Sequence, residues 1–342
     1  MSWPGANSRD TFRPSMAQVA LGARMKNFMH LVDHHEADCL ALSADGTLLA
    51  TGGEDGLRLW SAQQGTPLAV RADVGPVKAL CFTPEGEHLL IGGRDGTLRR
   101  WAFPSGADVQ RVQWEQPVIA LAVTAHGGHL AVGLGRKSTP AGSHVVVLAP
   151  GGTPVELLSQ DEIPGNWSLA FSPDGRTLAA LNVDGHATEG AFFAVVEVAT
   201  GTLLQQRLVG TLHYSGSVSF SPAGHLAIAP NPWRDSSGGI GATGFVVLEN
   251  SQSPTPLLTS WWEHETVFLP DGSLVGRSWS ALHFRPHLHD KVSASLTLPE
   301  GGPEVTLLTA ATSAPVVATA VGDNRVLVGS VDELLRHAEA HE

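Results

Sequence analysis

The sequence predicts an all-β fold, a seven-bladed β-propeller with four antiparallel strands per blade. Three observations predict it. A strand–turn–strand unit recurs seven times along the chain, and the units follow one another at 40 to 49 residues. The chain also carries 38 Gly and 22 Pro in 342 residues, which leaves no room for long helices. Hydrophobic residues make up 42%, enough for a large packed core.

The repeat is legible in its turns. Ser43-Ala44-Asp45-Gly46, Thr83-Pro84-Glu85-Gly86, Ser172-Pro173-Asp174-Gly175, Ser221-Pro222-Ala223-Gly224 and Leu269-Pro270-Asp271-Gly272 each separate two apolar, β-rich runs. Gly127 anchors another copy, and Ser313 marks a degenerate seventh. Proline presets φ near −65°, and Asp and Gly follow where the chain turns back. Two further short runs lie between anchors, for example Leu98 to Phe103 and Asp108 to Trp114, or Ala194 to Val198 and Leu203 to Val209. Four short strands per unit, repeated at this period, require blades packed around an axis, because one unit cannot bury both its faces.

The phase predicts how the ring closes. Ala314 to Val321 and Arg325 to Gly329 supply only middle strands of the seventh unit, so Lys26 to Val32 is expected to add its outermost strand. The expected organisation is a tail over 1–25, one propeller over 26–330, and a short capping helix or tail over 331–342.

Gly52-Gly53-Glu54-Asp55-Gly56-Leu57-Arg58-Leu59-Trp60 and Gly92-Gly93-Arg94-Asp95-Gly96-Thr97-Leu98-Arg99-Arg100-Trp101 resemble the second half of a WD repeat. Ser172-Pro173-Asp174-Gly175 is similar to that family's inner hairpin. The detailed motif covers two blades, while the architecture spans roughly 26–330. Trp60 is followed by Ser61 and Trp101 by Ala102, so no Trp-Asp dipeptide occurs, and no Gly-His pair precedes the inner strands. The resemblance implies that Asp55 and Asp95 brace the turn between second and third strands. With the rest of the family's buried polar tetrad unmatched, apolar packing is expected to hold these blades.

Composition excludes several functions. Lys and Arg number 21 against 33 Asp and Glu, a net charge of −12, so a nucleic acid or an anionic membrane is not an expected partner. Two cysteines, Cys39 and Cys81, do not make a disulfide framework and read as small core residues. No apolar run reaches a bilayer span, and the segment 1–24 lacks a secretory apolar stretch, so a cytoplasmic, monomeric propeller is expected.

Motifs that carry chemistry are weak. Gly239-Ile240-Gly241-Ala242-Thr243-Gly244 fits a dinucleotide fingerprint in letters only, since no helix follows it. Gly135-Arg136-Lys137-Ser138-Thr139 ends in Pro140 rather than a phosphate-loop helix. His283, His287, His289 and Asp290 are crowded, as are His34, His35, Glu36 and Asp38, and both groups read as loop residues before metal ligands. Asp45, Asp174 and Asp271 read as turn residues, and His88, His129 and His225 recur at the start of second strands. No cofactor and no metal is expected.

The unequal spacing locates the expected site. Connections between second and third strands are longest in three successive units, at Leu134 to Ser143, Asn182 to Ala191 and Pro230 to Thr243. All three emerge on the face that also receives the segments leading into inner strands. Trp167, His213, Tyr214, Trp233, Arg234, Trp261, Trp262 and His264 fall on or beside that face. Aromatic and arginine side chains on loops of a rigid scaffold suit a protein or peptide partner, with Trp233 and Arg234 as the preferred anchor. The function read from this is a non-enzymatic interaction scaffold. The alternative is a metal-assisted lyase or hydrolase at the channel mouth, drawing on His264, Glu265, His213 and His186.

Overall fold

The computed structural model describes residues 29–34, 37–103, 106–135, 142–160, 166–183, 191–209, 216–230, 246–248, 257–258, 265–278, 281–286, 294–297, 305–322, 325–332 and 335. These form seven four-stranded antiparallel sheets. Blade 1 runs outward from the axis as Ala37–Leu42, Leu48–Gly53, Gly56–Ser61 and Thr66–Arg71. Blade 2 comprises Val77–Phe82, His88–Gly93, Thr97–Ala102 and Ala107–Gln113. Blade 3 comprises Val118–Val123, Leu130–Leu134, Ser143–Leu148 and Val155–Gln160, and blade 4 Asn166–Phe171, Thr177–Val183, Ala191–Glu197 and Leu203–Val209. Blade 5 holds Gly216–Phe220, Leu226–Pro230, Val246–Leu248 and Leu257–Leu258, and blade 6 Glu265–Phe268, Leu274–Arg277, Ala281–Arg285 and Ala294–Thr297.

Blade 7 is built from both ends of the chain. Val305–Ala310, Val316–Val321 and Arg325–Ser330 come from the C-terminal part, and Met29–Asp33 adds the outermost strand. Met29 pairs with Gly329 and Asp33 with Arg325. The expected closing strand is therefore present over Met29–Asp33, one residue past the expected end at Val32, while 26–28 lie outside the described residues. Each inner strand packs on the next, and Val305–Ala310 returns to Ala37–Leu42, so the ring has no gap. Beyond the last strand, Val331 and Leu335 pack on the core shared by blades 6 and 7.

The recurring turn has one mechanism. In five blades a Ser or Thr hydroxyl accepts the backbone N–H that opens the second strand: Leu48 to Ser43 Oγ at 2.9 Å, His88 to Thr83 Oγ1 at 3.3 Å, His129 to Thr124 Oγ1 at 3.0 Å, Thr177 to Ser172 Oγ at 3.0 Å, His225 to Ser221 Oγ at 2.9 Å. Asp45, Asp174 and Asp271 accept the N–H two residues on. Hydrogen bonds from the Ser43 and Ser172 hydroxyls hold the Asp45 and Asp174 carboxyls below their usual range. Gly46 and Gly175 follow with φ near 69°, where a side chain would be strained.

Blades approach closely where glycine ends a second strand. A Cβ on Gly52 would lie 2.6 Å from Val77 of the next blade, and one on Gly92 would lie 2.5 Å from Val118. Polar latches join other blades. Ser168 Oγ accepts Val218 N at 3.1 Å, and Ser217 Oγ accepts Thr266 N at 3.0 Å. Arg277 donates to Val305 O at 2.9 Å.

Packing alone does not hold blade 1, contrary to the expectation from sequence. The Trp60 indole N–H donates to Thr51 Oγ1 at 3.0 Å, and Thr51 Oγ1 lies 2.5 Å from His34 Nδ1. His34 Nε2 lies 2.7 Å from Asp55 Oδ1. An ionised carboxylate only accepts, so Nε2 carries the proton and the Thr51 hydroxyl donates to Nδ1. The polar tetrad is complete, with His34 supplied by the segment between the closing strand and blade 1. Blade 2 has Val74, Ile91 and Trp101 at the places of His34, Thr51 and Trp60, so there the tetrad is largely apolar.

Candidate functional site

A propeller of this topology has two faces. The turns between first and second strands, and between third and fourth, lie on the lower face. Connections from second to third strand and between blades lie on the upper one. A cavity of about 890 Å³ opens at the upper mouth of the axial channel, lined by the starts of the inner strands.

Blades 1 and 2 place a charged network there. Asp38 and Lys78 occupy equivalent positions at the start of neighbouring inner strands. Glu54 and Arg94 occupy equivalent positions in the tight turns behind them. Lys78 Nζ lies 2.8 Å from both Asp38 Oδ2 and Glu54 Oε1, and Arg94 Nη1 lies 3.3 Å from Glu54 Oε1. Partial burial lowers the Lys78 pKa, but its two carboxylate partners outweigh this and raise it overall. The hydrogen bond from Lys78 holds the Glu54 carboxyl below its usual range. Lys78 is thus fixed as a cation between two anions. Exposed pairs of this kind contribute only about 0–1 kcal/mol each to folding.

Across the mouth, blade 6 contributes Glu265. Burial raises its pKa, against the Arg277 guanidinium at 2.7 Å. Arg277 in turn reaches the Val305 carbonyl, so this pair ties blade 6 to blade 7. Cys39 lines the same cavity, and burial raises its thiol well above the usual range. Cys81 lies near the lower mouth and is pushed up to about 12 by burial. Both thiols stay protonated near neutral pH and are poor nucleophiles.

Of the residues expected to form the site, Trp167 is described. It is only 5% exposed, with its ring edge-on to Phe192 at 6.4 Å and its Cβ against Gly133. It lines the cavity but packs between blades 3 and 4, so it is not the exposed aromatic the sequence suggested. His213, Tyr214, Trp233, Arg234, Trp261, Trp262 and His264 lie outside the described residues, as does His186. The three long connections are described only at their ends. Of the crowded histidines, His34 belongs to the tetrad, and His283 bonds Ser278 and Ser295. His35, Glu36, His287, His289 and Asp290 lie outside the described residues.

The charged network does not stand out in the sequence, because its residues are 16 to 40 apart in pairs that only the blade repeat aligns. The usable signal was the opposite charge at equivalent positions, Asp38 against Lys78 and Glu54 against Arg94.

The fold is a β-propeller, and the His34, Thr51, Asp55 and Trp60 tetrad of blade 1 is similar to that of WD repeats, although no Trp-Asp dipeptide follows. The family model described as WD domain, G-beta repeat, matches residues 26–61 and 66–102. Each match spans the outer strand of one blade and three strands of the next, which is the phase that closes the ring. Among solved structures, the chain is similar to the β-propeller domain of Cps50 (Swd1) from Myceliophteria thermophila, with a TM-score of 0.64 and 14% identity. That similarity covers 89% of this chain and 99% of the other. No curated protein matches the sequence. No helix among the described residues is long and apolar enough to cross a membrane.

Proposed function

We propose that the chain is a non-enzymatic interaction scaffold of the cytoplasm, a monomeric propeller that holds a protein or peptide partner on its upper face. The charged network of Asp38, Lys78, Glu54 and Arg94 carries this reading most directly. It is rigidly placed on two adjoining blades and adds little to stability, yet it presents both signs of charge beside the channel mouth. Such an arrangement suits recognition of a polar segment, whose own charges can pair with Arg94 and Glu54. The long connections of blades 3 to 5 are assigned to the same face, with Trp233 and Arg234 as the anchor and Tyr214, Trp261 and Trp262 around it.

Affinity purification from native cells tests the face. Wild type, Lys78→Glu/Arg94→Glu and Trp233→Ala/Arg234→Ala are compared by quantitative mass spectrometry. Both variants are expected to lose the same partners at least about tenfold while their circular dichroism stays that of the folded wild type. Raising salt should weaken wild-type recovery. Full recovery by both variants would reject the upper face.

A further inference from the structure

The lower face carries a second feature, independent of the charged mouth. A crevice of about 410 Å³ runs between blades 2 and 3, beside the turns at Thr83–Glu85 and Ala149–Gly152. Its origin is a pair of truncations. In blades 1 and 2 the last inner-strand residue and the third-strand residue near the lower face are Leu42 with Trp60, and Phe82 with Trp101. Register places Trp60 opposite Leu49, Trp101 opposite Leu89, and Leu148 opposite Leu130. Blade 3 therefore has Val123 and Leu148 where blade 2 has Phe82 and Trp101.

The consequence shows in burial. Under their indoles, Leu49 and Leu89 are 0% exposed. Leu130 remains half-buried, and Leu148 and Val123 line the crevice with it. Other blades with a small residue at one place are filled differently. Blade 4 has Phe171 and Val196 at these places, both in register with Leu178, which is fully buried. Blade 7 has Gly329 and Ala310, and Val331 and Leu335 pack into its cluster.

We infer that the crevice is a docking socket for a tryptophan side chain presented by a partner segment. The same framework already holds an indole in the two preceding blades, and among the described residues the crevice lies where blade 3 has Val123 and Leu148 in place of Phe82 and Trp101. The surroundings suit an indole as well. In blade 2 the Arg71 guanidinium lies over the Trp101 ring, 5.5 Å from its centre. At the crevice, Arg100 takes part in the wall, its Nη2 3.3 Å from His88 Nδ1 and 3.7 Å from Glu85 Oε1. A ring seated on Leu130 and Leu148 meets this cation, a pairing that strengthens when desolvated. Aliphatic Leu90 and Leu98 supply the remaining apolar contact.

The test refills the socket from within. Binding of acetyl-Gly-Trp-Gly amide is measured by saturation-transfer NMR against acetyl-Gly-Leu-Gly amide and against free indole. The Trp peptide is expected to bind wild type and the Leu peptide to bind at least about tenfold more weakly. Leu148→Trp should abolish Trp-peptide binding while the circular dichroism stays that of wild type. Val123→Phe, a milder refilling, should weaken it severalfold and guards against a Leu148→Trp variant that does not fold. Equal binding of both peptides overturns the proposal, as does undiminished binding by the refilled variants. Binding of free indole but not of the Trp peptide also overturns it, because the socket then takes a small molecule rather than a partner segment.

Discussion

At the residue scale, His34 is the most consequential single side chain. It is fully buried and bonded at both ring nitrogens, and it ties the segment after the closing strand to Thr51 and Asp55. Thr51→Val leaves the His34 Nδ1 and the Trp60 N–H without partners, and should cost about 1–3 kcal/mol by denaturant unfolding. His34→Val combined with Thr51→Ile imitates blade 2, where Val74 and Ile91 are buried together. The double variant should therefore be less destabilised than the sum of its singles. Protonation is a second handle. Burial lowers the His34 pKa below 6.5 despite the raising effect of Asp55. Above 6.5 both folded and unfolded forms are neutral there, and its contribution to stability is fully present. As pH falls below 6.5 the unfolded chain binds the proton first, and stability declines until the folded-state pKa is passed. Chemical denaturation between about pH 7.5 and 5 should show this slope, and the His34→Val/Thr51→Ile variant should flatten it.

At the element scale, the blade–blade seams set what the sequence tolerates. Val77 and Cys39 crowd the space beside Gly52, at 2.6 and 2.8 Å from where a Cβ would sit, and Val77 is β-branched and buried. Gly52→Ala should destabilise by about 1–3 kcal/mol through overpacking, read as a lower denaturant midpoint with an unchanged slope. Gly86→Ala meets no atoms but has φ of 73°, so its cost should come from backbone strain alone. Turns of this kind were legible in the sequence because they are local. Ser172, Pro173, Asp174 and Gly175 interact within a few residues of one another, and the motif states its own geometry. The tetrad was half legible. Asp55 and Trp60 sit inside a recognisable run, but His34 lies 17 residues before Thr51 and lacks the glycine that usually announces it. The charged mouth and the lower crevice were not legible, because each depends on aligning residues of neighbouring blades strand by strand. Val123 and Leu148 are ordinary apolar residues until the register shows which aromatic residues they replace.

For the whole molecule, closure is the property on which the other features depend. A propeller blade is stable only between two neighbours, so the ring behaves as one cooperative unit when its last seam is made. Here that seam is made by one short strand, Met29–Asp33, paired along Arg325–Ser330. The strand is reinforced on its far side, since Val32 is buried with Trp60 and Leu49 in the cluster shared by blades 7 and 1. Arg58 Nη1 also donates to the Asp33 carbonyl at 3.2 Å. Removing residues 1–33 takes away this strand and bares the backbone of Arg325–Ser330, which then becomes an open edge able to pair with another chain. The truncated protein should melt at a lower temperature and over a broader range, with blade 7 losing amide-exchange protection first. It should also form larger species on size-exclusion chromatography, in proportion to concentration. Val32→Pro in the full-length chain takes a buried side chain out of the seam with blade 1 and disfavours regular strand backbone there, and should reproduce the exchange loss in blade 7. An unchanged melting curve and a monomeric profile for the truncated chain would mean that three strands suffice to close blade 7.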